Sequence, residues 1–356
     1  MKKDGRECHD TLVKNAKPIL AFDENRDYKT WKEEIRAKFY ELSGLNDVEA
    51  NAEPNPQFEI VKEEKLEGHT RYYCLFESEI GAVVSMYVLI PDGIKEHEKR
   101  PLIITQQGHS TGFHNSVGIE LYDEDYMYQY TRGMFANQSV QQGYITVAVE
   151  NRGMGERAAQ NEEGRRVHLG KKGGCYYEEM TALLMGRSLI AERCFDIKCA
   201  IDMILKHFGK NIDQRKIVIA GNSGGGTLSF YAACYDQRIC LSVPSSAFCP
   251  YPESILRFYH CSCNYIGHAF KWFDMQDLAC LIAPRPLFAI NGKTDPSFKD
   301  YGVIRGFETV KKIYEKEGVP ENCHSIIMQD RGHFWGVEYV WPVIASELAK
   351  LGDEIR

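Results

Sequence analysis

Between Phe58 and Pro91 apolar and polar residues alternate with a period near two, most clearly over 58–62, 71–76 and 83–90. That period sends successive side chains to opposite faces of an extended chain, so these segments predict an antiparallel meander. Beyond Pro101 the texture changes to short, mostly apolar runs at 102–105, 144–149, 217–220, 239–243, 287–290 and 325–328. Runs of this kind suit strands covered on both faces. Longer segments lie between most of them and predict helices over 135–142, 186–208, 225–235, 301–317 and 337–351. Strands alternating with helices need right-handed crossovers, which makes the expected class α/β: a mostly parallel central sheet, antiparallel N-terminal strands and helices on both faces.

Two segments stand outside this alternation. Residues 1–55 read as a helical N-terminal extension, because Trp31, Ile35, Phe39 and Leu42 recur at spacings of four, four and three. The polar stretch Asn51-Ala52-Glu53-Pro54-Asn55-Pro56 cannot continue a helix, so the catalytic domain is expected over 56–356. Between Val243 and Leu287 the chain is longer than one crossover helix needs, and 246–276 reads as an insert that lines or covers a site. Its Tyr251, Phe258, Tyr259, Tyr265, Phe270, Trp272 and Phe273 suit stacking on a sugar or an aromatic acyl group, or equally the filling of a core.

Candidate chemistry begins at Lys216-Ile217-Val218-Ile219-Ala220-Gly221-Asn222-Ser223-Gly224-Gly225-Gly226-Thr227, an apolar strand driven into a helix through a serine. This is the G-x-S-x-G arrangement, in which the serine occupies a strained turn and glycines two residues away on each side remove Cβ clashes. It projects the Ser223 hydroxyl above the end of the sheet and leaves the Gly224 N–H at a helix start, facing any oxyanion that forms.

A serine hydroxyl needs a base within hydrogen-bond reach and a carboxylate that orients the base. In this kind of sheet they follow later strands in the order serine, acid, histidine. The run 287–290 leads through Asn291-Gly292-Lys293-Thr294 to Asp295, and 325–328 leads to Gly332-His333 just before the last helix. Asp295 is preferred over Asp300 and Asp330 because it directly follows its strand, and Glu150, at the end of an earlier strand, is an accessory candidate. The loop Gln106-Gln107-Gly108-His109-Ser110-Thr111-Gly112 follows the first central strand; the His109 N–H is the expected second oxyanion donor, its side chain serving only to pack. Arg152 is a candidate either for recognising a carboxylate or for pinning its own loop.

Taken together, Gly221-Asn222-Ser223-Gly224-Gly225, Ala283-Pro284-Arg285-Pro286-Leu287, Asn291-Gly292-Lys293-Thr294-Asp295, Gly332-His333 and Glu150-Asn151-Arg152-Gly153-Met154-Gly155 resemble the acetyl xylan esterase-like and dienelactone hydrolase-like branch of the α/β-hydrolases over roughly residues 80–350. The resemblance implies the α/β-hydrolase fold and a Ser223, Asp295, His333 triad. Two departures stand out: Glu150 replaces the aspartate of the family's D-x-R-G-x-G stretch, and Gln107-Gly108 replaces its His-Gly pair.

Composition narrows the partners. A net charge of −7 provides no basic field for nucleic acid, and no apolar run of 18 residues exists to cross a membrane. No apolar stretch follows the charged first residues, so no secretory signal is expected. The twelve cysteines lack the spacing of a disulfide framework, which predicts reduced thiols and a cytoplasmic setting. His260-Cys261-Ser262-Cys263, with His268, offers one cluster of metal-ligand types but no second pair, so neither metal nor cofactor is expected. The function expected is cleavage of a small carboxylic ester, an acetylated carbohydrate among the candidates, through an acyl-enzyme. The alternatives are a prolyl oligopeptidase-type peptidase, whose propeller a leader of 55 residues cannot hold, and a non-catalytic binding protein, which should have lost a triad member.

Overall fold

In the computed structural model, which describes residues 4–158 and 173–352, the alternating segments form strands β1 (Phe58–Leu66), β2 (His69–Glu79) and β3 (Ala82–Pro91), paired antiparallel. The apolar runs become β4 (Arg100–Gln106), β5 (Ile145–Val149), β6 (Ile212–Asn222), β7 (Ile239–Ser245), β8 (Leu287–Gly292) and β9 (Cys323–Met328). All nine strands belong to one sheet in the order β1-β2-β3-β5-β4-β6-β7-β8-β9. β3 meets β5 antiparallel, and every pairing from β5 to β9 is parallel.

The helices are α1 (Glu7–Asn15), α2 (Tyr28–Ser43), α3 (Leu45–Ala50), α4 (Asp125–Arg132), α5 (Phe135–Gln141), α6 (Gly173–Leu184), α7 (Leu189–Phe208), α8 (Gly224–Tyr235), the short α9 (Ala269–Trp272), α10 (Asp300–Lys316) and α11 (Val337–Lys350). Strand parity sorts them into two layers. Leu102, Ile104, Ile217 and Ile219 pack with α2, α7, α8 and α10, whereas Ile103, Val218, Leu241 and Ile290 pack with Phe135 of α5 and Trp341 and Ile344 of α11. Runs apolar on both faces thus find a helix on both sides, as the sequence pattern predicts.

The N-terminal segment is built into the first of these cores. Trp31, Ile35 and Phe39, on one face of α2, are fully buried, and Phe39 stacks on Tyr231 of α8 with ring centroids 6.0 Å apart. Backbone bonds from Ile19 and Leu20 to the carbonyls of Lys271 and Trp272 attach the same segment to the insert.

The observed boundaries move where the backbone demands it. α7 starts at Leu189 rather than 186, since Gly186 has φ +75° and Ser188 caps the helix by accepting from the Ala191 N–H. α4 and α6 have no counterpart in the sequence reading. α4 leaves Tyr126, Met127 and Tyr130 exposed, so it lacks the buried apolar stripe on which such a reading depends.

Candidate active site

The turn after β6 has the strain that its motif implies. Ser223 adopts φ 57°, ψ −123°, held by its own N–H on the Ser245 carbonyl (2.9 Å) and by the Thr227 N–H on its carbonyl (2.8 Å). Both flanking glycines are sterically required. A Cβ on Gly225 would lie 2.1 Å from the Gln106 carbonyl oxygen at the end of β4, and one on Gly221 would lie 2.5 Å from the Gly225 oxygen.

Asp295 and His333 meet at the ends of β8 and β9. The His333 Nδ1 lies 2.8 Å from Asp295 Oδ2, and Asp295 is 1% exposed. Its other oxygen accepts the N–H groups of Ser297 (2.8 Å) and Phe298 (3.1 Å), which fixes the carboxylate before it orients anything. The histidine loop can reach this pair because β8 ends in a residue without a side chain: a Cβ on Gly292 would lie 1.9 Å from the Gly332 oxygen. The His333 ring stacks on Phe298 at 5.9 Å, and the next carbonyl, that of Phe334, accepts the Ser245 and Ser246 hydroxyls. Ser245 also holds the Ser223 N–H, so the same strand end ties the serine turn to the histidine loop. Of the competing carboxylates, Asp300 receives the Tyr301 N–H at the start of α10 and Asp330 is exposed.

The loop after β4 departs from expectation at its histidine. The His109 side chain does more than pack: Nδ1 lies 2.8 Å from the place a Cβ on Gly224 would occupy, and Nε2 lies 3.2 Å from the Cys263 sulfur. His109, Cys175 of α6, Cys261 and Cys263 bring one ligand-type atom each to within 4.8 Å of one another. The sequence reading stopped at Cys261 and Cys263 because the missing second pair comes from two distant segments. His260 and His268 are not part of this group; His260 instead faces the Ser297 carbonyl at 3.3 Å.

Glu150 and Arg152 are both engaged inside the protein, Arg152 with contacts that suit the second of its two expected roles, the pinning of its loop. Glu150 accepts the Phe113 N–H (3.0 Å) and the Asn151 N–H (3.2 Å), and Gly155 has room only for a hydrogen where a Cβ would lie 1.7 Å from Glu150 Oε2. Burial pushes the Glu150 carboxyl up to about 8, against the lowering effect of the backbone donors. Arg152 spends its guanidinium on Asp196 (2.8 and 2.9 Å), Glu79 (2.7 Å) and Glu192 (3.3 Å). Asp196 is fully buried, which alone would raise its carboxyl, yet Arg152 and Arg157 hold it well below the usual range. These two residues brace the loops around the site. The sequence reading also missed the buried pair of His114 and Asp125, 3.0 Å apart, which braces the segment that follows the loop after β4 and carries no motif.

The insert lines a cavity of about 910 Å³ together with α6. Tyr259, Tyr265 and Phe270 form part of its wall, Tyr176 and Met180 of α6 another part, while Tyr251 and Phe273 are buried in the core. Of the seven aromatic residues singled out in the sequence, three thus line the wall and two are buried in the core, while Trp272 packs against the core and Phe258 is half-buried outside the wall. His260, also in the wall, meets Phe298 edge to face at 5.0 Å, and Phe298 stacks on His333. A line of three rings therefore joins the cavity to the Asp295–His333 pair. Among the described residues, no helix is long and apolar enough to cross a membrane.

Comparison with known proteins agrees with this architecture. The model of the Abhydrolase family matches residues 5–332. YtaP, a candidate hydrolase of Bacillus subtilis (strain 168), is 22% identical over 241 residues, which cover 66% of this chain and 73% of YtaP. BF1801, a candidate acetyl xylan esterase of Bacteroides fragilis NCTC 9343, superposes with a TM-score of 0.76 at 19% identity, over 99% of this chain and 96% of that one. The glucuronoyl esterase of Solibacter usitatus superposes with a TM-score of 0.64 at 17% identity, over 94% and 97%. At these identities the structural likeness is one of fold.

Proposed function

The chain belongs to the Abhydrolase family, and from that premise we propose that it is a serine hydrolase cleaving a carboxylic ester, with acetylated carbohydrates as the substrate class. The observation that carries the proposal is the pairing of buried Asp295 with half-buried His333, 2.8 Å apart, tied through Ser245 to the strained turn at Ser223. Asp295 engages Nδ1 of the imidazole and so leaves Nε2 to act as base. His333 takes the Ser223 hydroxyl proton as the oxygen attacks the ester carbonyl, and the N–H groups of Gly224 and His109 stabilise the oxyanion. Collapse expels the alcohol, which leaves with the proton from His333. Water then gives a proton to the same nitrogen and attacks the acyl-serine, releasing the acid and the free serine.

The substrate class rests on two supports. The aromatic wall formed by Tyr259, Tyr265 and Phe270 offers flat apolar surface to a sugar ring. Structural neighbours of the same fold include proteins named acetyl xylan esterase and glucuronoyl esterase, both names that describe esters of carbohydrates. Turnover of p-nitrophenyl acetate, absent in Ser223→Ala and followed by a side-by-side panel of acetylated sugars, feruloyl esters and short acyl esters, tests both levels. Unchanged turnover in Ser223→Ala overturns the reaction class, and preference for feruloyl or short acyl esters overturns the substrate class.

A further inference from the structure

The loop after β4, helix α6 and the insert each deliver metal-ligand atoms to one point: His109 from the first, Cys175 from the second, Cys261 and Cys263 from the third. Cys175 and Cys263 are buried, and Cys261 and His109 half-buried. Single thiols are common fillers of apolar cores. Three thiols and an imidazole converging from three chain segments form a donor set of a different kind.

We propose that His109, Cys175, Cys261 and Cys263 bind a zinc ion in a closed four-ligand site. Tetrahedral zinc with zinc–sulfur bonds of about 2.3 Å places ligating sulfurs about 3.8 Å apart, so donor atoms already within 4.8 Å need shifts of only about 1 Å. Cys261 and Cys263 are closer in sequence than the usual zinc pair, but the chain passes from extended backbone at Cys261 (φ −63°, ψ 142°) into the short helical turn Ser262–Asn264, and both sulfurs lie within 4.8 Å of the other two donors. The surroundings suit the resulting charge. Three thiolates leave the site one negative charge beyond Zn²⁺, and Arg193, 3% exposed, places Nη2 3.2 Å from the Cys175 sulfur. The Ser262 hydroxyl donates to the Cys175 carbonyl at 3.3 Å, so the insert and α6 are joined at the same place by a bond that does not depend on the ion.

With all four positions filled by protein, the ion is structural, and its effect on the neighbouring turn runs through His109. Nε2 is the nitrogen that faces Cys263, so ligation there leaves the proton on Nδ1. Nδ1 lies against Gly224, 2.8 Å from its absent Cβ, and zinc therefore holds an N–H donor on the face of the serine turn. The inference goes beyond ester cleavage and does not require it, because its readout is the metal.

The test is elemental analysis of the full chain, expressed with added Zn²⁺ and purified under reducing conditions, followed by anaerobic replacement with Co²⁺. The expected result is one zinc per chain, a thiolate-to-cobalt charge-transfer band with the intense visible bands of tetrahedral Co²⁺, loss of the zinc in Cys263→Ser and Cys175→Ser, and full retention in Cys8→Ser. Should the cysteine variants fail to fold, the cobalt spectrum of the wild-type chain decides. Absence of zinc together with failure to take up Co²⁺, retention of zinc in folded Cys263→Ser, or a disulfide among the three cysteines of the freshly purified protein overturns the proposal.

Discussion

Gly292→Ala is expected to separate the placement of His333 from the existence of the fold. The new Cβ would stand 1.9 Å from the Gly332 oxygen and 2.6 Å from the Arg331 oxygen, both backbone atoms that no rotamer change can move aside. Ordinary contact begins at 3.4 Å, so the histidine loop must retreat by roughly 1.5 Å from β8. Asp295 cannot follow, because Ser297 and Phe298 N–H groups hold its carboxylate at 2.8 and 3.1 Å. Overpacking of this kind costs about 1–3 kcal/mol, which a domain of this size survives, whereas displacing a reacting group by about 1 Å costs on the order of 100-fold in rate. Steady-state kinetics on p-nitrophenyl acetate, with a thermal melt on the same samples, should show kcat lowered about 100-fold, KM little changed and a folded protein. A variant with wild-type kcat and wild-type melting temperature would refute the reasoning, since no room exists for the methyl group unless the loop is elsewhere.

Asp295→Asn should leave the loop in place yet lower kcat by about 10⁴-fold, because an amide that keeps the Ser297 and Phe298 bonds with its oxygen presents N–H donors to His333 and favours the wrong tautomer; kinetics with a circular dichroism control check it, and activity near wild type contradicts it. Glu150→Gln should remove a pH dependence of stability. The folded carboxyl is raised to about 8 from an ordinary 4.5, so the folded state holds a proton the unfolded chain has lost between those values, and wild-type stability falls as pH rises through that window. Urea denaturation at pH 5 and pH 8 should show wild type losing stability relative to Glu150→Gln by up to about 3 kcal/mol, and equal differences at the two pH values contradict it.

How much of this was legible in the sequence depends on the range over which each feature is encoded. Strands such as 217–220 and 287–290 are apolar on both faces, and covering both faces is a local demand that a parallel sheet meets. The Asp295–His333 pair was equally legible, because each residue sits at the tip of its own strand and β8 and β9 are neighbours in the sheet. The partners of Arg152 were not. Asp196 lies 44 residues away, and nothing near Arg152 distinguishes a buried brace from a group facing a ligand. The same reason hid the cysteine cluster: His109 and Cys263 are 154 residues apart, and only the convergence of a strand-end loop, α6 and the insert brings them together. α6 left little trace in the pattern because its apolar residues divide between core and cavity wall instead of forming one stripe, Ala182 being buried while Tyr176 and Met180 line the cavity.

The central claim is that Ser223 is a nucleophile activated by His333 and Asp295. Labelling the purified protein with a fluorophosphonate and mapping the modified peptide by mass spectrometry tests it most directly. The expected result is a single adduct on Ser223, formed rapidly in wild type and nearly abolished in folded His333→Ala. No adduct, an adduct on another residue, or undiminished labelling without His333 contradicts it.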